Sequence, residues 1–331
     1  MNREIYDVTI VGGGPIGLFT AFYSGMRNLK TKIIECKDRL GGKITEFYPD
    51  KIIRDIGGIP LITGASLVEQ LEEQAKTFRP EIVFNQFISG LKKMEDGIFQ
   101  LESDTGELHY TRTIILTIGP GVFKPIKLDI ANCEDYENHT LHYKVPELNH
   151  FHGKNVCISG GGDAAVDWAN QLASYATSVM VVHRRDGFNG HESSIENMKE
   201  NAKVYSSFYI KDIKGQEKKL QTAVIEHMET GELVELEVDE LIVNHGIQGD
   251  LGGINEWGLL IENDKIAVNE SMETNIPGIF AAGDAVTYPT KLKLIAGGFT
   301  EGPIALNSAK RYMEPGAEEM AMYSTHHEKW V

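Results

Sequence analysis

The fold is decided by the stretch Ile5-Tyr6-Asp7-Val8-Thr9-Ile10-Val11-Gly12-Gly13-Gly14-Pro15-Ile16-Gly17, a β-rich apolar run that ends in a glycine cluster. A helical pattern follows from about residue 15 to residue 28, and residues 31–35 read as the next strand. Strand, glycine turn, helix and strand together predict a βαβ unit. In a G-x-G-x-x-G turn the first glycine permits the tight bend, the second lets the backbone approach a pyrophosphate, and the third allows close helix–strand packing.

A dinucleotide is the ligand that this turn predicts. Gly12, Gly14 and Gly17 occupy the three glycine positions, and Glu35 follows Gly17 by 18 residues, at the end of the second strand. The helix N-terminus offers unpaired N–H groups and the positive end of its dipole to phosphates. The Glu35 carboxylate can accept hydrogen bonds from a ribose. Motif, flanking strands and acidic residue therefore agree on one kind of site.

A second unit of the same kind begins at residue 155. A strand at residues 155–159 leads into the G-x-G-x-x-A variant of the turn, and we expect the second nucleotide to bind there, at Gly160, Gly162, Asp163 and Ala164. The next strand ends in Arg184 and Arg185, where an acidic residue would favour NAD(H). Guanidinium groups can pair with a ribose 2′-phosphate, so the pattern predicts NADP(H). Exposed arginines at a strand end are the alternative interpretation.

The chain is predicted to be an α/β protein with two Rossmann-like domains of the three-layer ββα kind. Short β-like runs with turn signals follow the first βαβ unit at residues 81–117 and the second at residues 204–243. The chain is expected to cross between domains near residues 118–121 and 245–247. The first domain would then be discontinuous, with residues 1–118 plus 247–331, and the second would hold residues 119–246.

Composition excludes several classes of protein. The formal net charge of −16 argues against nucleic-acid binding as the main role. No apolar run approaches the roughly 18–20 residues that span a bilayer, and the first residues lack the pattern of a signal peptide, so a cytoplasmic location is expected. The three cysteines at positions 36, 133 and 157 form no C-x-x-C pair, which fits a reducing compartment and speaks against an internal redox disulfide.

Several motifs besides the glycine turns carry a family resemblance over nearly the whole chain. The sequence resembles the ferredoxin/flavodoxin–NADP+ reductases of the thioredoxin-reductase-like type, in the pyridine nucleotide–disulfide oxidoreductase superfamily. The matching stretches are 11–17, Leu40-Gly41-Gly42-Lys43, Tyr48-Pro49-Asp50-Lys51, Asp55-Ile56-Gly57-Gly58, 159–168, His183-Arg184-Arg185-Asp186-Gly187-Phe188, 278–286, Lys293-Leu294-Ile295 and Gly298-Phe299-Thr300-Glu301.

This resemblance implies that the first domain binds FAD and the second NADP(H). The residues that it assigns to FAD are Gly12, Gly14, Gly17, Glu35, Lys43, Tyr48, Ile88, Phe123, Asp284 and Thr325. Ile88 and Phe123 would lie around the adenine, and Asp284 would hydrogen-bond the ribityl chain. Tyr48 would stack on one face of the isoalloxazine, which suits the large polarizable ring.

The resemblance also assigns a role to the C-terminal tail, residues 322–327. Such a tail reaches across from the partner subunit of a homodimer and covers the other flavin face. Tyr323 would be the stacking residue, and Ser324 or Thr325 would lie near the flavin N5. The implied catalytic environment thus consists of Tyr48, Tyr323, Ser324 and Thr325. Hydride transfer needs no obligatory general base, and no metal ligand set is expected. A disordered C-terminus is the alternative.

The implied activity transfers a hydride from NADPH to FAD and then single electrons to ferredoxin or flavodoxin, reversibly. Asn189 stands where relatives often carry an arginine, so we expect a reduced preference for NADPH over NADH. Lys291 and Lys293 are candidate contacts for an acidic carrier. A general diaphorase or quinone reductase, and a flavin-binding sensor or scaffold without activity, remain the alternatives.

Overall fold

A computed structural model describes residues 3–145, 147–321 and 323–327, and for Phe123 the backbone alone. The chain divides into two compact units. One consists of residues 1–122 and 249–331, and the other of residues 123–248. The segments at the division are both short strands, and they pair with each other.

The elements follow in chain order. The first part of the chain forms β1 Ile5–Val11, α1 Pro15–Met26, β2 Thr31–Ile34, α2 Lys43–Phe47, β3 Ile52–Ile53, β4 Ile62–Thr63, α3 Gly64–Lys76, β5 Glu81–Val83, β6 Ile88–Lys93, β7 Phe99–Ser103, β8 Leu108–Leu116 and β9 Val122–Pro125. The middle forms β10 Leu141–His142, β11 Asn155–Ser159, α4 Asp163–Leu172, β12 Ser178–His183, α5 Glu192–Asn201, β13 Lys203–Ser206, β14 Phe208–Gln216, β15 Lys219–His227, β16 Leu233–Glu237, β17 Glu240–Val243 and β18 Ile247–Asp250. The last part forms β19 Ile261–Glu262, β20 Lys265–Ala267, β21 Ile279–Ala281, β22 Val286–Thr287 and α6 Ile295–Met313.

The first unit is built on a seven-stranded sheet. Its strand order is β5-β2-β1-β8-β7-β6, and β21 pairs with the far part of the long strand β8. The strands β5, β2, β1, β8 and β21 run parallel, whereas β6, β7 and β8 form an antiparallel meander. The carboxyl ends of β1 and β21 therefore lie at the same edge of the sheet, where open α/β sheets bind ligands.

The second unit repeats this plan with a smaller sheet. Five parallel strands lie in the order β10-β17-β11-β12-β13, and a separate antiparallel meander contains β14, β15 and β16. Here the carboxyl ends of β11, β12 and β17 share one edge. The predicted α/β fold with two Rossmann-like units is confirmed, although several connecting strands were too short to be recognised in the sequence.

Alternating side chains place one core on each face of each parallel sheet. In β1, Ile10 packs with the helices α1, α3 and α6, whereas Val11 packs in the core on the meander side. In β11, Ile158 packs with α4 and α5, and Cys157 packs with the second meander. Successive residues of a strand point to opposite faces, so apolar residues at both parities predict a sheet that is covered on both sides.

The described helices include none that is long and apolar enough to cross a bilayer.

Candidate functional site

The first glycine turn joins the end of β1 to α1. Gly12 has φ +105°, and a Cβ there would lie 2.6 Å from the Thr117 carbonyl oxygen. A Cβ on Gly17 would lie 2.0 Å from the Gly12 carbonyl oxygen, so helix and strand approach too closely for any side chain. Gly14 is different because a Cβ there would meet nothing within 4 Å. It is the N-cap of α1 and makes no side-chain cap bond, which leaves the helix N-terminus open to a ligand.

Glu35 is fixed against this turn. It is 4% exposed, its Oε2 accepts a hydrogen bond from the Gly13 N–H at 2.7 Å, and its Oε1 accepts one from the Lys37 N–H at 2.9 Å. The Cys36 thiol also donates to Oε1, at 3.2 Å. A carboxylate has about four lone-pair sites, so about one remains for a ribose hydroxyl.

Lys43 is the first residue of α2, and the segment before it leans on the same turn. The Gly41 N–H donates to the Gly13 carbonyl at 2.9 Å, and a Cβ on Gly42 would lie 3.2 Å from the Gly14 Cα. The exposed Lys43 thus begins α2 directly after a backbone segment that contacts the glycine turn.

Tyr48 and Asp284 come together although 236 residues separate them in the sequence. Tyr48 caps α2, and Asp284 lies in a 3-10 turn, Gly283–Ala285, just after β21. Burial, and then the negative charges of Asp284 and Asp55, raise the pKa of the Tyr48 phenol. The Lys265 ammonium donates to the Asp284 carbonyl at 2.9 Å. The structure thus gathers an aromatic ring and a carboxylate at the edge that carries the glycine turn.

Of the two residues assigned to the adenine end, the structure describes the side chain of one. Ile88 begins β6, is 2% exposed and packs in the same core as Val11 and Ile34. Phe123 lies in β9, but its side chain is outside the described part of the structure.

Lys291 cannot serve as a surface contact for a carrier protein. Its side chain is 8% exposed, and its ammonium forms an ion pair with the buried carboxylate of Glu301. The expectation for Lys291 is therefore wrong, because the short loop after β22 turns this side chain inward. Lys293, two residues on, is exposed.

Residues 318–321, which lead into the C-terminal tail, and His327 within it lie along α1 and beside α3. Arg27 donates to the Glu318 carbonyl at 2.7 Å, and the Tyr23 hydroxyl accepts from the Ala321 N–H at 3.0 Å. The His327 ring packs edge-on against Phe78, with ring centroids 5.3 Å apart. These contacts lie on the C-terminal half of α1 and just beyond α3, whereas the glycine turn lies at the N-terminus of α1.

The residues assigned to the second flavin face are exposed. Tyr323 is 72% exposed, and Ser324 and Thr325 begin a 3-10 turn, Ser324–His326. Within the described parts of the chain, no hydrogen bond or ring contact joins these three residues to Tyr48. Met322 of the predicted tail lies outside the described residues.

The second glycine turn has the same construction as the first. A Cβ on Gly160 would lie 2.6 Å from the Asn244 carbonyl oxygen, and a Cβ on Gly161 would lie 2.3 Å from the His183 ring. Gly162 is the N-cap of α4, makes no side-chain cap bond, and would place a Cβ in open space. Asp163 and Ala164 are the first two residues of α4. The turn is therefore closed against protein on one side and open at the helix N-terminus.

Both arginines lie exposed just after β12, beside this turn. Burial, and then the charges of Arg185 and Arg184, lower the pKa of His183, whose ring lies over Gly161. The Asn189 N–H donates to the Gly161 carbonyl at 2.8 Å. The segment that carries the arginines is thus tied to the glycine turn at both of its ends.

Sequence reasoning missed two residues at the end of β17. The His245 Nε2 lies 2.8 Å from the Ser159 Oγ, and burial followed by the Arg184 charge lowers the pKa of His245. The Asn244 Nδ2 is buried and has no hydrogen-bond partner among the residues that the structure describes. Because β17 lies beside β11, the polar Asn-His-Gly sequence after an apolar strand was the signal for this position. An unsatisfied buried donor beside Gly160 fits a site that a ligand completes.

The three cysteines are free, as the spacing predicted. Cys133 and Cys157 are buried, and burial raises the pKa of the Cys157 thiol to about 12. Cys36 is exposed, but partial desolvation and the Glu35 carboxylate raise its pKa to about 12 as well. Burial also raises the pKa of the Cys133 thiol. Thiols with raised pKa values are poor nucleophiles, so none of the three is suited to exchange with a disulfide.

One group of potential metal ligands in the described part of the chain lies far from the second glycine turn. His142 and His150 converge on the buried Glu240, at 2.6 Å and 3.1 Å. The Lys154 ammonium lies 2.5 Å from the same carboxylate and neutralises it. This group lies at the amino end of β11, opposite the edge where α/β sheets bind ligands.

The comparisons with known proteins agree with this architecture. The chain belongs to the pyridine nucleotide-disulphide oxidoreductase family, whose model matches residues 6–302. It is therefore an oxidoreductase. Ferredoxin–NADP reductase 1 of Bacillus velezensis is 54% identical over 331 residues, covering 100% of this chain and 98% of that protein. Ferredoxin–NADP reductase 1 of Bacillus pumilus is 51% identical over 329 residues, covering 99% and 95%.

A solved structure shares the fold. The Lactococcus lactis thioredoxin reductase in its FR conformation matches with a TM-score of 0.68 and 26% identity, over 93% of this chain and 98% of that one. The expected thioredoxin-reductase-like family is confirmed by these matches.

Proposed function

We propose that this chain is a ferredoxin–NADP+ reductase that holds FAD in its first unit and NADP(H) in its second. The observation that carries the proposal is the pair of open glycine turns, one per unit, in a chain whose three cysteines are free and form no C-x-x-C motif. With two nucleotide sites, electrons would enter as a hydride from the nicotinamide to the flavin. Because the chain has no C-x-x-C pair, the reduced flavin itself would donate them to the acceptor. The full-length relatives that bear this reductase name support the same conclusion.

The first unit is suited to FAD in chemical detail. The open N-terminus of α1 and the Lys43 ammonium would hold the pyrophosphate, and Glu35 would accept hydrogen bonds from the adenosine ribose. Asp284 would hold the ribityl chain, and Tyr48 would stack on the ring. Ile88 and Phe123 would lie at the adenine. Bound FAD supplies the ability to accept a hydride and to release electrons singly.

The second unit is suited to NADP(H). The open N-terminus of α4, with Gly160, Gly162, Asp163 and Ala164 around it, would meet the pyrophosphate. Arg184 and Arg185 would pair with the 2′-phosphate by charge-assisted hydrogen bonds. Asn189 adds no charge to this phosphate-binding pair, so the discrimination against NADH would depend on the two arginines alone.

The tail would act on a second copy of the chain. Its contacts with Tyr23, Arg27 and Phe78 hold it at the far end of α1 from the glycine turn of the same chain, and Tyr323 remains largely exposed. In a homodimer Tyr323 would stack on the partner's flavin, and Ser324 or Thr325 would lie near N5. The partner carriers would be ferredoxin or flavodoxin, and the location cytoplasmic.

Anaerobic stopped-flow mixing tests the proposal. NADPH should bleach the visible flavin band, and later mixing with ferredoxin or flavodoxin should restore it while the carrier becomes reduced. A band that does not bleach would instead favour a flavin-binding sensor or scaffold. A flavin that bleaches and reduces quinones but neither carrier would identify a diaphorase.

A further inference from the structure

Glu301 is a buried carboxylate inside α6. It is 2% exposed. Its Oε2 accepts from the Gly283 N–H at 2.7 Å, and its Oε1 accepts from the Tyr288 hydroxyl at 2.7 Å. The Lys291 ammonium donates to the same Oε1, and its side chain is also buried. One carboxylate thus holds three donors from a single stretch of chain, residues 283–291.

That stretch begins with the turn that carries Asp284. Gly283 has φ +81°, and a Cβ there would lie 3.1 Å from Ile16 Cγ1 at the start of α1. Glu301 accepts a hydrogen bond from the Gly283 N–H of this turn. The Lys265 ammonium donates a second hydrogen bond to the turn, at the Asp284 carbonyl, at 2.9 Å. The position of Asp284 relative to the first glycine turn is therefore set by two hydrogen bonds.

The Tyr288 phenol stays protonated in this cluster. Burial, and then the bond to the Glu301 carboxylate and its charge, raise the pKa of Tyr288 to about 12, so the phenol remains an O–H donor. The Lys291 ammonium compensates the charge of the carboxylate. Stability alone does not demand such a pair, because well-packed apolar residues of similar volume are often equally stable.

We propose that Glu301 is a positioning residue for the flavin, acting through the Gly283 N–H on the turn that presents Asp284. Tyr288 and Lys291 orient the carboxylate for this purpose through their hydrogen bonds to its Oε1. The inference rests on the proposal that the first unit binds FAD. It predicts that FAD affinity depends on the acceptor that Glu301 offers to Gly283, and less on the charge of the cluster.

Two double variants separate these contributions. K291M with E301Q removes both charges but keeps an amide oxygen for the Gly283 N–H. K291M with E301L removes the same charges and also the acceptor. The readouts are the FAD dissociation constant, the visible spectrum of the bound flavin and the melting temperature of the apoprotein.

We expect the E301Q double variant to bind FAD within about threefold of wild type, and the E301L double variant to bind it at least tenfold more weakly, with a spectrum closer to that of free FAD. Equal affinity in the two variants would overturn the inference and leave the proposed function intact. A wild-type protein that binds no FAD would overturn both.

A third variant is available if the E301L apoprotein does not fold. E301D keeps the charge that Lys291 needs but withdraws the carboxylate by one methylene, roughly 1.5 Å. We expect it to weaken FAD binding at least threefold while Y288F, which removes only the phenol bond, changes it less. Wild-type affinity in E301D, or a larger loss in Y288F, would contradict the role of the Gly283 bond.

Discussion

Residue 189 tests how much of the nucleotide preference rests on charge. Its N–H is bonded to the Gly161 carbonyl, so its side chain starts beside the turn that Arg184 and Arg185 flank. N189R should add a third guanidinium near the 2′-phosphate and raise the ratio of kcat/KM for NADPH over NADH by about tenfold, equivalent to about 1.4 kcal/mol. The neutral N189Q is the matched control. A ratio that rises equally in both variants would show that side-chain size, and not charge, is responsible.

Substitution of Gly162 separates an effect on NADPH binding from an effect on folding. A Cβ at this position meets nothing within 4 Å, so the fold should accept alanine at a cost of about 1 kcal/mol or less. The same Cβ would stand over the open N-terminus of α4, where the pyrophosphate is expected. G162A should therefore raise the KM for NADPH about tenfold, with flavin content unchanged.

The control for this variant is G316A, which also adds a methyl group in open space, far along the chain from either glycine turn. It should change neither KM nor melting temperature. If G162A leaves the KM unchanged as well, the second turn does not receive the nucleotide phosphates.

For single residues, the sequence predicted the structure wherever only one structural constraint explains the residue type. Gly12 and Gly17 were predictable because only glycine tolerates the positive φ or the 2.0 Å approach found there. Glu301 and Lys291 were not, since a glutamate inside a helix and a lysine in a loop ordinarily face water. Their pairing depends on how α6 meets the turn after β21, which no local pattern records.

At the scale of elements, Glu240 joins three parts of the second unit. It begins β17, and it bonds His142 of the edge strand β10, His150 of the 3-10 turn Leu148–Phe151, and Lys154 just before β11. E240Q should lower the stability of this unit by about 1–3 kcal/mol, because it leaves the buried His142 without an ionised acceptor. Thermal unfolding followed by circular dichroism measures the loss, with K154M as the control that removes only the ammonium.

The pH dependence of this effect has a defined sign. Burial raises the pKa of Glu240, but the bonds to His142 and Lys154 outweigh it, so the folded pKa lies below the ordinary value of 4.5. A depressed carboxyl pKa contributes stability above the unfolded pKa and loses it as the pH falls through the folded value. The difference in melting temperature between wild type and E240Q should be full at pH 7 and shrink below about pH 4.5. A difference that widens in acid would contradict this linkage.

Helices and strands were predictable from sequence where the apolar pattern extended over several residues. The two βαβ units carry buried strands, β1 and β11, that are followed directly by glycine, so both appear where the apolar runs predict them. The two-residue strands β3, β4 and β10 were missed, because two residues show no period. Their pairing is decided by tertiary neighbours, as with β10 and Glu240.

For the whole molecule, the central prediction is that a complete flavin site requires two chains. Two inactive parents test it: Y48A with an intact tail, and a truncation after residue 317 that keeps Tyr48. Each homodimer should be impaired, because one lacks the ring under the flavin and the other lacks Tyr323 above it. If the tail acts on the partner, mixed dimers contain one site with both Tyr48 and a tail.

Co-expression with two different affinity tags isolates the mixed dimer, and ferredoxin reduction by NADPH measures it. It should recover about half of the wild-type rate, because symmetry gives the dimer two equivalent sites and only one is restored. If the tail served its own chain, neither site of the mixed dimer would be complete, and activity would stay at the level of the parents. The FAD content of each dimer, measured in parallel, separates loss of cofactor from loss of transfer.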